Sequence, residues 1–150
     1  METKVLQSIQ VEHEEIHEQL AKAIKVGGKT GEAARAVMKV LQPHMAREEE
    51  FVAPALALLR PAVDGALTAE MASLLQRITP LEAELPRMLE EHGRIVETLR
   101  DLIRAATEES QPGFAKLAQV LVAHAQQEEE ILYPAAVLTV RSLKSRFGKP

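Results

Sequence analysis

Two stretches of the chain say nearly the same thing, and together they constrain its fold more than any other feature. Residues 41–54 read LQPHMAREEEFVAP and residues 121–134 read LVAHAQQEEEILYP, sharing Leu-x-x-His-x-x-x-Glu-Glu-Glu-x-x-x-Pro. A second element recurs ahead of each: EHEEIHEQL (12–20) and EHGRIVETL (91–99) share Glu-His-x-x-Ile-x-x-x-Leu. The offsets are 79 residues from His13 to His92 and 80 from His44 to His124, so both elements repeat almost in register. A pair of helices with one apolar face cannot cover that face alone. Two similar hairpins packed face to face can, which predicts one bundle with approximate twofold symmetry.

The residues between the repeats favour helix. The chain is 46% hydrophobic but only 3% aromatic, so the period-two aromatic and β-branched runs of strands are missing. Turn signals fall at VGGKTG (26–31), RPAVDG (60–65), TP (79–80) and EESQPG (108–113). They leave long helices over 4–25, 32–59, 79–106 and 114–143, with a short helix over 68–77. Thr79 is the expected N-cap of the third long helix, with Pro80 at its first position and Glu82 closing a capping box. Pro43, Pro54, Pro86 and Pro134 lie inside these segments, where each forfeits a hydrogen bond and can kink the helix. The expected fold is all-α: an up-down-up-down four-helix bundle with a short extra helix between helices 2 and 3, in one domain over 1–150.

Charge and composition exclude several functions. A net charge of −4 argues against nucleic-acid binding, and the absence of cysteine removes thiolate catalysis, disulfides and sulfur-ligated metals. No charged-then-apolar leader and no membrane-length apolar run occurs, so the expected location is the cytoplasm.

The histidines then become the problem. At about 100° per residue, Glu128 falls about 40° from His124, on the same face as Leu117, Leu121, Ile131 and Leu138. Glu129 lies at the border of that face, Glu130 points to water, and Tyr133 falls opposite His124, off any site. The same holds around His44, which shares its face with Glu48, Phe51 and Val37. His13 lies among Leu6, Ile9, Ile16, Leu20 and Ile24, and His92 among Leu81, Leu85, Met88, Ile95, Leu99 and Ile103. Glu12 and Glu91 precede their histidines and sit about 100° away, in the solvated direction. Unpaired buried polar groups cost a few kcal/mol each, roughly, and buried carboxylates far more. Four inward histidines and two inward carboxylates therefore form either a closed His–Glu network or a metal site. Imidazole and carboxylate without thiolate suit iron, manganese or zinc. A His and a Glu at i and i+4 stand about 6 Å apart along the axis. Each pair can thus hold one ion while its carboxylate reaches a second, roughly 3.5–4 Å away.

The pattern His13, His44-x-x-x-Glu48, His92, His124-x-x-x-Glu128 resembles the hemerythrin and HHE cation-binding family over nearly the whole chain. The resemblance implies a non-haem di-iron centre with an oxo or hydroxo bridge. Glu48 and Glu128 would bridge, and His13, His44, His92 and His124 would be terminal ligands. A ferritin-like site fits less well, since its Glu-x-x-His element occurs only once, at Glu14 to His17. Two departures separate the chain from the oxygen-carrying hemerythrins: Met88 stands where they have a further helix 3 histidine, and Glu128 where they have an aspartate. His17, about 40° from His13, is inward by the wheel and is either an added metal ligand or a histidine at the edge of the site. The implied partner is dioxygen or a similar small oxidant. The functions implied are oxygen or iron binding and sensing, or detoxification of peroxide or nitric oxide. Iron–sulfur repair ranks last, because the family's repair proteins carry a cysteine-bearing domain.

Overall fold

Helix α1 (Lys4–Val26) starts where the Thr3 hydroxyl accepts from Leu6 N at 3.2 Å. It belongs to a computed structural model that describes residues 3–147, all of whose regular structure is helical. The other elements are α2 (Gly28–Arg47), α3 (Ala53–Ala57), α4 (Leu59–Asp64), α5 (Ala69–Ile78), α6 (Leu81–Glu108), α7 (Pro112–Gln127) and α8 (Tyr133–Phe147). None of these helices is long and apolar enough to cross a membrane.

Several boundaries differ from the sequence expectation. The break at 26–31 shrinks to Gly27, whose φ of 75° suits a residue without a side chain. The α1 and α2 backbones then run so close that a Cβ on Gly31 would lie 2.8 Å from the Ile24 carbonyl oxygen. Residues 60–64, expected as a turn, are helical and stop only at Gly65, which takes the left-handed conformation. Thr79 does not cap α6. Its backbone is helical rather than extended, and its hydroxyl donates to Gln76 O at 2.9 Å, closing α5 instead.

Two widened turns interrupt the helices of the repeats. After Arg47 and again after Gln127 the helix passes through a π-turn, at Glu48–Val52 and Glu128–Leu132. In each, an amide bonds five residues back: Ala53 N to Glu48 O, and Tyr133 N to Glu128 O. Pro54 and Pro134 follow directly. A proline has no amide to bond the carbonyl four residues back and its ring crowds that carbonyl, so widening the turn relieves both problems. One extra residue in the turn rotates everything beyond it by about 100°.

Packing follows from these pieces. Helix α1 lies against α2, α2 against α6, and α6 against α7, while α8 packs on α3, α4 and α5. One apolar cluster holds Leu20, Val37, Leu41, Ile95, Leu99 and Leu121. Another holds Leu58, Leu75, Ile78, Met88, Tyr133 and Leu143. The polar groups of the two repeats lie between the two clusters. This is a helical bundle by its contacts, with apolar plugs on both sides of a buried polar layer.

Candidate metal centre

Of the two inward carboxylates, Glu48 faces three histidines and Glu128 two, and each divides its oxygens between them. Glu48 Oε1 lies 2.8 Å from His44 Nε2 and 3.9 Å from His92 Nε2, while its Oε2 lies 3.1 Å from His13 Nε2. Glu128 Oε1 lies 3.3 Å from His92 Nε2, and its Oε2 lies 3.4 Å from His124 Nε2. One side of the layer therefore holds His44, His92 and the two Oε1 atoms. The other holds His13, His124 and the two Oε2 atoms. Donor atoms of His44, Glu48, His92 and Glu128 all fall within 4.8 Å of one another, and all four residues are buried. His13 is buried as well, whereas the His124 side chain is 26% exposed.

Nitrogen and carboxylate donors converging from α1, α2, α6, α7 and the two π-turns are what a hard-to-intermediate cation requires, so the residues fit a metal. A model of the hemerythrin HHE cation-binding domain matches residues 4–136. The chain belongs to the hemerythrin HHE cation-binding family. No curated protein and no solved structure matches it.

Relative to the sequence reading of this HHE domain, the structure places several residues differently. His17 is exposed and lines an open cleft with Glu14, Glu18, Gln42 and Glu49; it does not join the buried cluster. Helix α1 is regular there, so pitch is not the cause: the roughly 40° between His17 and the buried His13 is enough to carry His17 from the buried layer into the open cleft. Tyr133, expected on the opposite side of its helix, is instead 1% exposed, with its hydroxyl in the centre. It donates to Glu48 Oε1 at 2.5 Å and lies 2.9 Å from His92 Nε2 and 3.1 Å from His44 Nε2. The π-turn supplies the reason: subtracting one residue's rotation moves Tyr133 from about 180° to about 80°. The same rotation turns Leu138 outward, to 63% exposure, and Ile131, within the widened turn itself, is 57% exposed, both against expectation.

Glu91 is also not solvated. Its carboxylate accepts from Arg47 Nε at 3.0 and 3.1 Å, is paired with Arg47 Nη2, and reaches His44 Nδ1 at 3.1 Å. Glu49 does the same for His13 Nδ1 at 2.9 Å, and Glu129 for His92 Nδ1 at 3.0 Å. A carboxylate on Nδ1 holds the proton there and leaves Nε2 as the donor atom. His124 lacks such a partner, and Glu12 approaches its Nε2 at 3.0 Å instead. These outer carboxylates were missed because a residue beside the inward direction reads as solvated on a wheel, yet it can touch a neighbouring helix. The signal for Tyr133 was in the sequence: a proline at the same place in both repeats.

Without metal the layer is held by shared protons. Burial would lower the His92 pKa, but hydrogen bonds to Glu128 and Glu48 outweigh it and raise it to about 10. Burial would raise the Glu48 pKa, but bonds from His13, His44 and His92 hold it well below the ordinary carboxylate value. His13 is raised, its bonds to Glu48 and Glu49 outweighing burial, and His124 is raised chiefly by Glu128. Burial, with the charges of Glu48 and Glu128, pushes the Tyr133 phenol up. No fully buried side-chain nitrogen or oxygen among the described residues lacks a hydrogen-bond partner. The metal-free layer is thus a satisfied proton-bearing network whose protons an arriving cation would displace.

Proposed function

We propose that this HHE domain is a non-haem di-iron protein, in an up-down-up-down four-helix arrangement, that binds or reacts with dioxygen or a related small oxidant. The observation that carries this reading is the division of Glu48 and Glu128, each offering one oxygen to each histidine pair. His44 and His92 would hold one ion and His13 and His124 the other, with the two carboxylates bridging. Iron in such a cage supplies electron transfer to and from a small oxidant.

The chain's own residues set the conditions for that chemistry. Beside the donors lies a cavity of about 20 Å³, roofed by Ile16, Leu41, Met45, Ile95, Leu99 and Leu121. It has room for roughly one water-sized molecule, which suits a diatomic or peroxide and excludes larger substrates. Its apolar roof keeps bulk water from the buried pair His44 and His92. Glu49, Glu91 and Glu129 fix the ring orientation and tautomer of three histidines.

The exposed edge at His124, which borders a cleft containing Glu12, favours a second reading. Water and protons can reach that side, as an enzyme detoxifying peroxide or nitric oxide requires. Metal analysis and the optical spectrum of protein purified without added metal test the main reading. Two irons per chain are expected, with His44→Ala or Glu128→Ala losing at least one. One zinc and no iron from iron-replete cells would overturn it. An oxygen adduct of the reduced protein that reverses on deoxygenation marks a carrier or sensor; fast autoxidation with peroxide turnover marks the enzyme.

A further inference from the structure

The Tyr133 hydroxyl has no place in a set of four histidines and two carboxylates, yet it sits at the hub of one half of that set. Its oxygen lies 2.5 Å from Glu48 Oε1, 2.9 Å from His92 Nε2 and 3.1 Å from His44 Nε2. A phenol has one proton and can donate it to only one of the three. The Nδ1 atoms of both histidines are already engaged by Glu91 and Glu129, so it is their Nε2 atoms, the ones free to take a cation in place of a proton, that meet the phenol oxygen. Two imidazole nitrogens, a carboxylate oxygen and a phenol oxygen, all able to ligate once their protons leave, thus converge on one small volume. Such spacing matches neighbouring ligands on a single ion: donors about 2.1 Å from an octahedral centre stand about 3 Å from one another.

We propose that Tyr133 is itself a metal ligand, its phenolate oxygen completing the coordination of the ion held by His44, His92, Glu48 and Glu128. As the metal–oxygen bond forms, the phenol O–H bond breaks and its proton, shared with Glu48 in the metal-free protein, is released to solvent. The oxygen contributes an electron pair, and no oxidant is consumed. The inference rests on the di-iron reading.

The internal repeat makes the assignment asymmetric. Aligning Pro54 with Pro134 puts Ala53 where Tyr133 stands, and Ala53 is buried and has no donor atom. The ion on the His44 and His92 side would then have five protein donors, and the ion on the His13 and His124 side four. The second ion keeps the vacant positions, and its His124 is the most exposed of the four histidines, on the border of the open cleft with Glu12 and Gln19. Small oxidants would dock there.

Tyr133 is the only tyrosine in the chain, so a phenolate signal has one source. Protein loaded with iron(III) should show a visible phenolate-to-iron charge-transfer band. Resonance Raman excitation in that band should enhance the ring modes of a coordinated phenolate. Tyr133→Phe, which removes only the oxygen, should lose both signals and still bind iron. Two irons per chain without phenolate modes in the parent, or an unchanged band in Tyr133→Phe, overturns the ligand and leaves the di-iron reading standing. A parent that takes up no iron overturns both. Should Tyr133→Phe fail to fold, the parent spectrum alone decides.

Discussion

Removing the carboxylate of Glu91 is expected to weaken metal binding more than removing either of the other carboxylates behind a histidine. Glu49, Glu91 and Glu129 bond Nδ1 of His13, His44 and His92 at 2.9, 3.1 and 3.0 Å, so distance does not rank them. Surroundings do. The Glu91 side chain is only 12% exposed and is held by Arg47, whereas Glu49 and Glu129 are 40% and 43% exposed. Water can replace a lost partner at the two exposed positions but poorly at the third. Deleting such an outer partner typically costs 10–100-fold in metal affinity, about 1.4–2.7 kcal/mol. Glu91→Ala is expected near the upper end and Glu49→Ala and Glu129→Ala near the lower. Glu91→Gln, which keeps an acceptor but loses the charge, should fall between them. Competition against a chelator, with each variant's metal-free melting midpoint as a folding control, measures the order. Equal losses for all three alanine variants, or no loss at Glu91, would refute the argument that burial and Arg47 set the strength.

Three further outcomes are expected. For metal-free protein, the raised His92 pKa contributes stability that is full below pH 6.5 and declines until it is gone above about 10, while the lowered Glu48 pKa contributes stability that is lost as pH falls below the ordinary carboxylate range. Denaturant midpoints should therefore fall between pH 7 and 10, and a rise over that window would contradict the network. Metal affinity should move the other way, because the ligands must shed protons. Gly31→Ala is expected to cost about 1–3 kcal/mol by forcing α1 and α2 apart, whereas Gly93→Ala, with open space at its Cβ, should stabilise α6 by about 0.5–1 kcal/mol; thermal melts that fail to separate the two would contradict the close approach at Ile24. His17→Ala should leave iron content and autoxidation unchanged, since the side chain faces an open cleft. Loss of iron in that variant would show that α1 brings His17 to the metal.

The sequence by itself determined which residues would be buried together, and the reason is periodicity. A histidine and a glutamate four apart on a helix keep the same face whatever the helix packs against, so His44 with Glu48 and His124 with Glu128 were legible, as were His13 and His92 within their apolar stripes. The doubled motif likewise announced two similar hairpins. Periodicity fails where the helix changes pitch. The π-turns at Glu48–Val52 and Glu128–Leu132 rotate all that follows, and this decided that Tyr133 enters the centre while Leu138 leaves the core. A wheel also knows one helix at a time. That Glu91 of α6 reaches His44 and Arg47 of α2, or that Glu129 after α7 reaches His92 of α6, depends on how far apart two helices lie, and only their packing fixes that distance.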